Sequence, residues 1–147
     1  MEGISLTEFQ VCLLLRESLA AFPMEACGII AGRAGCATRI FTAVNAAQTL
    51  HRFSIAPDEL NHILHQIDRA GDQWLGIWHS HPQSQAVPSA ADIRCARHPT
   101  KIWLIVSLAT ESRARIGKGI RYEDCVIRGY RIDGRGCRFH EVSVREV

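Results

Sequence analysis

The feature that most constrains the fold is a predicted strand that ends in two histidines and leads into a polar loop. The strand spans residues 74–81, and side chains two residues apart on a strand point to the same face. His79 and His81 are therefore predicted to project together, on the face shared with Leu75 and Ile77. A fold that accepts this segment must bury the strand and leave room for both imidazoles at its carboxyl end.

Two neighbouring imidazoles can begin a zinc site, and the following segment offers a third ligand. A catalytic zinc site needs three protein ligands and an open position. Asp92 falls in the first turn of a helix predicted over residues 89–97, and the loop over residues 82–88 can return that turn to the strand end. Two neutral histidines and one carboxylate leave zinc a net positive charge, which lowers the pKa of a bound water from about 9 towards ~7.

Each part of this motif also has a purely structural interpretation. Ser89-x-x-Asp92 matches the capping-box pattern of a helix start, so both residues could simply cap that helix. A His-x-His pair alone is more typical of half-buried histidines that bind no metal. The joint pattern His-x-His-Pro-x6-Ser-x-x-Asp, together with an acid further upstream, favours the metal site.

The upstream acid is Glu25, which stands at the start of a predicted apolar strand over residues 26–32. An unpaired carboxylate is unfavourable in such surroundings. Either Glu25 is a strand-end residue that reaches water, or it is a general base within reach of an activated water. The residues alone leave both interpretations open.

The order of predicted elements indicates an α+β domain in which helices flank a mixed sheet. A Ser5-x-x-Glu8 capping box predicts a helix over residues 6–21. Its buried stripe is predicted to consist of Leu6, Phe9, Cys12, Leu13, Leu15 and Leu19. Helical spacing from Pro57 to a stop at Gly71 predicts a second helix. Further strands are predicted over residues 26–32, 38–44 and 102–108, with a hairpin over 126–132 and 137–144. The 147 residues suit a single domain, residues 1–147.

Composition argues against several classes of partner. The net charge is only +2 and no block of Lys and Arg occurs, so nucleic-acid binding is not indicated. The longest apolar run, residues 102–109, is far shorter than the ~20 residues of a membrane-spanning helix. Six cysteines form no Cys-x-x-Cys pair, which argues against a zinc ribbon. Scattered cysteines without a visible secretory signal predict a cytoplasmic protein.

Together, the motif residues resemble the JAMM (MPN+) metallopeptidases, zinc isopeptidases that remove ubiquitin and ubiquitin-like proteins. The segment Pro-x-Glu-x-Cys-Gly around Glu25 is similar to the small prokaryotic branch. The resemblance implies a cytidine-deaminase-like JAMM/MPN domain, with a curved mixed sheet flanked by helices. It implies that His79, His81 and Asp92 bind one zinc ion. It also implies that Glu25 is the catalytic base and that Ser89 helps stabilise the oxyanion.

The resemblance also suggests a substrate. Members of the family cut after the Gly-Gly tail of a ubiquitin-like protein, and partners of the small bacterial members resemble a sulfur carrier. The leaving group stays open between cysteine, a lysine side chain and a precursor tail, and a homodimer is also left open. A thin tail suits a cleft between a sheet edge and a loop, where it can add as a strand.

Two other functions compete with this prediction. A non-catalytic MPN scaffold is the main alternative, although such relatives lose motif residues and none is missing here. A zinc deaminase would need His-x-Glu and Pro-Cys-x-x-Cys, and the chain has neither.

Overall fold

A computed structural model describes residues 3–109, 118–122, 125–133 and 138–147. Within these ranges the helices are α1 (Glu8–Ala21), α2 (Pro57–Arg69) and α3 (Ala90–Cys95). The strands are β1 (Ile4–Leu6), β2 (Cys27–Arg33), β3 (Cys36–Ala43), β4 (Gln73–His81), β5 (Ile102–Ser107), β6 (Ile120–Tyr122), β7 (Cys125–Ile132), β8 (Phe139–Val142) and β9 (Val144–Glu146). No helix in the described part of the chain is long and apolar enough to cross a membrane.

The described strands form one mixed sheet in the order β6-β7-β5-β4-β2-β3-β1-β9, with β8 pairing to β7. Strand β4 lies in the interior of this sheet, antiparallel to β2 and parallel to β5. The α+β prediction, with helices flanking a mixed sheet, is therefore confirmed. Both sides of β4 are paired, so a tail cannot add to β4 itself as a strand. The predicted addition of a tail at a sheet edge stays a prediction.

The two long helices cover opposite faces of the sheet. Val11 and Leu14 of α1 pack in one apolar cluster with Trp78. Ile63 and Ile67 of α2 pack in a second cluster on the other face. Ile77 of β4 lies on the α2 face, and alternation along the strand places His79 and His81 on that face too.

The start of α1 and its buried face both differ from the prediction. Ser5 lies in β1, and the capping box is formed by Thr7 and Gln10, not by Ser5 and Glu8. The buried residues of α1 are Gln10, Val11, Leu14, Leu15 and Ser18, whereas Phe9 and Leu19 are exposed. Apolar side chains occur around most of this helix, so periodicity does not select the buried face. The Gln10 side-chain amide donates to the Ala37 carbonyl of β3, which fixes the rotation of the helix.

A bulge in β4 overturns one part of the strand prediction. Ile30 pairs with Gly76 and Ala31 with Trp74, so Leu75 is an extra residue in the ladder. Leu75 consequently packs with the α1-side cluster, away from the histidines, and Trp74 packs with the α2-side cluster. Strict alternation predicts the reverse for both residues. That prediction fails because the bulge shifts the alternation of every strand residue before it.

Three short strands, β1, β6 and β9, were not predicted, and the second hairpin strand is divided between β8 and β9. Three-residue strands carry too few side chains to show a period. The pairing of Ile132 with Phe139 confirms the hairpin, while its predicted turn residues 134–136 lie outside the described residues. The third helix is shorter than predicted and ends at Cys95.

Gly28 leaves room above β2 for a hydrogen bond between its two neighbouring strands, β3 and β4. A Cβ atom on this residue would collide with the Phe41 carbonyl oxygen and with the indole nitrogen of Trp78. That indole nitrogen donates a hydrogen bond of 2.9 Å to the same carbonyl. The Gly of the Pro-x-Glu-x-Cys-Gly segment therefore leaves the space in which Trp78 of β4 is hydrogen-bonded to β3 across β2.

Candidate metal centre

The structure brings His79, His81 and Asp92 into one buried cluster. The two imidazole Nε2 atoms are 3.1 Å apart. Asp92 places one carboxylate oxygen 3.2 Å from His79 Nε2 and another 3.1 Å from His81 Nε2. Ligands about 2.0–2.1 Å from a tetrahedral zinc ion lie about 3.3 Å from one another. The three groups are therefore spaced as the ligands of a single metal ion would be.

The orientation of His81 makes its Nε2 available as a ligand. Its Nδ1 atom lies 2.8 Å from the Gln85 carbonyl oxygen, which can only accept a hydrogen bond. The ring proton is therefore on Nδ1, and the lone pair of Nε2 faces His79 and Asp92. A carbonyl partner of this kind commonly fixes the tautomer of a metal-binding histidine. His79 is held differently, by stacking on Phe53 at 4.5 Å between ring centroids.

The loop after the histidines is fixed from three sides. The Ser107 hydroxyl donates to the Ser84 carbonyl at 2.6 Å, and the Tyr130 hydroxyl donates to the Ala86 carbonyl. Together with the bond from His81, these contacts anchor three consecutive carbonyl groups of the loop. They return the chain to the end of β4, where α3 begins.

Asp92 serves both the helix and the cluster. Its Oδ2 atom accepts a hydrogen bond of 2.8 Å from the Ser89 backbone N–H, and its own N–H donates to the Ser89 hydroxyl at 3.0 Å. The Asp92 carboxylate therefore both caps α3 and belongs to the cluster with the two histidines. The Ser89 hydroxyl acts as an acceptor in this cap, so its own proton stays available to a substrate oxygen.

The pKa shifts of Asp92 and His79 favour metal binding. Burial alone would raise the pKa of Asp92, but its contacts with the imidazoles of His79 and His81 outweigh burial and hold this pKa well below its usual range. Burial lowers the pKa of His79. Burial also acts to lower the pKa of His81, but its contacts with Asp92, with the Gln85 carbonyl and with Glu25 raise it overall. An ionised carboxylate and a neutral imidazole are the forms in which these groups bind metals.

Glu25 lies beside this cluster with a carboxylate that is buried and incompletely paired. It is 5% exposed, and its Oε1 atom has no hydrogen-bond partner among the described residues. Burial raises its pKa to about 7; the charge of His81 lowers it and that of Asp92 raises it. A strand-end glutamate that reaches water would not be buried in this way. The structure therefore rules out the interpretation in which Glu25 is a strand-end residue that reaches water.

Ser80 holds the segment of Glu25 against β4. Its hydroxyl accepts a hydrogen bond of 2.8 Å from the Ala26 N–H, and its N–H donates to the Ala26 carbonyl at 3.0 Å. The neighbouring Cys27 is fully buried, and burial raises the pKa of its thiol to about 12. Cys27 is therefore a packing residue in its neutral thiol form.

Asn45 ties the backbone of Glu25 to the loop that precedes α2. Its Nδ2 atom donates to the Glu25 and Arg52 carbonyls, each at 3.0 Å. Its Oδ1 atom accepts from the Ala47 N–H at 2.9 Å and the Ser54 N–H at 3.2 Å. The amide thereby uses both of its protons and both of its oxygen lone pairs. The sequence contains no periodic signal for this role, because Asn45 lies outside every helix and strand.

Replacing Asn45 with alanine is expected to destabilise the protein by about 1–3 kcal/mol, since carbonyl and N–H partners lose their bonds. The thermal unfolding midpoint should fall, and the loop should exchange its amide protons faster. Asn61→Ala, on the exposed side of α2, is the matched control and should leave the midpoint unchanged. Equal midpoints for the two variants would show that the Asn45 bonds do not stabilise the loop.

A pocket of about 460 Å³ opens next to Asp92. Its apolar walls include Phe53, Ile55, Leu60, Trp74, Ile77 and Trp103. Arg52 and Arg97 also line it, and both are exposed. The sequence does not reveal this pocket, because its lining comes from several elements and the β4 bulge alone brings Trp74 to this face.

Comparison with known proteins settles the family. Residues 12–116 match the family model described as prokaryotic homologs of the JAB domain. The chain belongs to this family. The JAMM/MPN resemblance drawn from the motifs is thereby confirmed.

Two curated relatives of this JAB-domain protein carry the name desampylase. The protein from Haloferax volcanii is 39% identical over 90 residues, which cover 58% of this chain and 63% of the relative. The protein from Pyrococcus furiosus is 27% identical over 93 residues, which cover 63% of this chain and 66% of the relative. The chain thus matches less than two thirds of the length of either relative.

Solved structures share the fold of this JAB-domain protein. The solution structure of a Desulfitobacterium hafniense protein has a TM-score of 0.80 at 30% identity, covering 98% of this chain and 92% of that chain. The crystal structure of a JAB1/MPN domain protein from Archaeoglobus fulgidus has a TM-score of 0.60 at 16% identity, covering 99% and 98%. The match to the second structure shows the fold alone.

Proposed function

We propose that this chain is a zinc-dependent peptidase that hydrolyses the bond after the C-terminal Gly-Gly of a ubiquitin-like or sulfur-carrier protein. The observation that carries the proposal is the convergence of His79, His81 and Asp92 beside the buried, incompletely paired carboxylate of Glu25. Two imidazoles and one carboxylate form a donor set of catalytic zinc sites, in which a fourth position stays open. We propose one zinc ion per chain at this cluster.

The residues of the chain have distinct roles in this reaction. Zinc bound by the cluster would supply Lewis-acid polarisation of water and of the scissile carbonyl. Glu25 takes the proton of the attacking water and then gives it to the leaving nitrogen as the carbon–nitrogen bond breaks. Ser89 donates its hydroxyl proton to the oxygen that becomes negative, a contribution of about 2.7–4 kcal/mol where one such donor has been removed in other enzymes.

Support for the substrate comes from the relatives and from the shape of the site. Two relatives named desampylase match this chain, and the JAMM resemblance implies removal of a ubiquitin-like modifier. The ligand atoms lie on fully or almost fully buried side chains at the end of an interior strand. Glycine suits the approach to such a site, because it has no side chain to clash with the walls.

The non-catalytic scaffold stays the competing function. A scaffold would need neither a buried carboxylate without a full set of partners nor three converging ligand atoms, and both features are present. A single domain over residues 1–147, a cytoplasmic location and a homodimer stay predictions, as does the absence of nucleic-acid and membrane partners.

The proposal is tested with zinc-loaded protein and a Gly-Gly-ending sulfur-carrier protein extended by one group X. Three substrates carry cysteine, another amino acid or a lysine-linked protein as X, and mass spectrometry identifies the products. We expect at least one of them to be cut directly after Gly-Gly, with loss of cutting when a chelator removes the metal. Intact substrates throughout, at full zinc occupancy, would favour the scaffold.

A further inference from the structure

The pocket beside Asp92 lies at a defined position along the strands of the site. Cys27 pairs with His79, and Ile29 pairs with Ile77, which is a pocket wall. Glu25 precedes Cys27 by two residues, so this register places it level with His81, at the end of the cluster that is farther from Ile77. Glu25 and the pocket therefore lie towards opposite ends of the cluster, and the two paired positions are about 7 Å apart at the rise of a strand.

This order assigns the two sides of the substrate. Glu25 must reach the leaving nitrogen to return its proton, so the leaving group lies at the Glu25 end. The acyl part of the substrate then extends from the cluster in the opposite direction, towards the pocket. In an extended tail, ~7 Å is the span of two residues. The two glycines cover this distance, and the residue before them reaches the pocket.

The lining of the pocket specifies the chemistry of that residue. Two indoles, one phenyl ring and aliphatic side chains form the walls and favour an apolar side chain. Arg52 and Arg97 form no ion pair with any described carboxylate. These cations favour an acidic group next to the apolar one.

We propose that this pocket is a specificity site for the acyl side of the substrate. It binds a bulky apolar side chain directly before the Gly-Gly, and Arg52 and Arg97 bind an acidic residue that precedes the apolar one. The assignment rests on the proposed function for the direction of the substrate. The occupant is therefore the tail of the carrier protein and not the leaving group.

The test uses peptides that end in Gly-Gly joined to aminomethylcoumarin, so that the leaving group stays constant. The reference peptide is acetyl-Asp-Leu-Gly-Gly-aminomethylcoumarin. Changing its Leu to Ala is expected to lower kcat/KM by roughly tenfold or more, because a filled apolar pocket becomes partly empty. Changing its Asp to Lys is expected to lower kcat/KM several-fold, mainly by raising KM. Equal kcat/KM for the Leu and Ala peptides would overturn the proposal.

Variants of the chain test the role of the two arginines. Arg52→Gln and Arg97→Gln are expected to reduce the preference for Asp over Lys while keeping the preference for Leu over Ala. Arg16→Gln, which removes an exposed arginine from α1, is the matched control and should keep both preferences. Full retention of the Asp preference in both pocket variants would contradict the assignment of the arginines.

A binding measurement separates this proposal from the proposed function. The Glu25→Gln variant is titrated with acetyl-Asp-Leu-Gly-Gly and with its Ala counterpart, following the fluorescence of Trp74 and Trp103. Tighter binding of the Leu peptide supports the pocket even if no peptide is cut, in which case the peptidase function alone fails. Equal binding of the two peptides rejects the pocket whether or not cleavage occurs.

Discussion

Glu25→Gln is expected to lower the rate of hydrolysis by about 10²–10⁴-fold, the usual contribution of a positioned general base. Glutamine has nearly the shape of glutamate but cannot accept the proton of the attacking water. The ligand atoms of His79, His81 and Asp92 are unchanged, so zinc occupancy should match that of the wild type. Substantial residual hydrolysis at equal occupancy would remove Glu25 from its role as base.

The same variant should also alter the pH dependence of stability in metal-free protein. Burial raises the pKa of Glu25 from 4.5 to about 7. Between these values the folded state binds more protons than the unfolded chain, so the contribution of Glu25 to stability falls as pH rises. Glutamine does not titrate. Glu25→Gln should therefore gain stability relative to the wild type as pH rises through this range, measured by chemical denaturation at pH values on either side of it. A difference that does not change with pH would show that Glu25 does not titrate as a buried group.

Loss of a residue that only supports a metal ligand typically costs roughly 10–100-fold in metal affinity. Asp92→Asn changes a ligand itself, so it is expected to reduce zinc affinity by more than this. The amide oxygen of asparagine can still accept the hydrogen bond of the Ser89 N–H, so the start of α3 is retained. The negative charge that faces both imidazoles is lost. Competition with a chromophoric chelator measures the affinity, and circular dichroism verifies the fold.

Ser89→Ala is the matched control for that experiment. It removes the cap hydroxyl and is expected to cost about 0.5–2 kcal/mol of stability, but it leaves the three ligands in place. Zinc affinity should therefore change far less than in Asp92→Asn. A larger loss in Ser89→Ala than in Asp92→Asn would mean that the geometry of the loop, and not the Asp92 carboxylate, controls metal binding.

The sequence predicts the placement of His79, His81 and Asp92 better than it predicts the packing around them. Alternation along one strand places His79 and His81 together, and the capping-box spacing brings Asp92 to the first turn of α3. These are local rules that act over a few residues. They succeed at the carboxyl end of β4 because the bulge lies near its amino end, at Leu75. The alternation from Gly76 to His81 is therefore unchanged.

The failures arise where distant parts of the chain decide the outcome. The buried face of α1 depends on the hydrogen bond from Gln10 to Ala37, which no pattern within the helix reveals. The Asn45 side chain is hydrogen-bonded to backbone groups from separate segments of the chain. The pocket depends on Trp74, whose side of the sheet is set by the bulge between β2 and β4. Local periodicity carries no information about such contacts.

The central claim is that one metal ion is held by two imidazoles and one carboxylate. Crystals of zinc-loaded protein, measured on both sides of the zinc absorption edge, test it most directly. The account predicts a single anomalous peak bonded to His79 Nε2, His81 Nε2 and a carboxylate oxygen of Asp92, with no fourth protein ligand. A peak located elsewhere, or one whose remaining position is filled by another side chain of the same molecule, would contradict it.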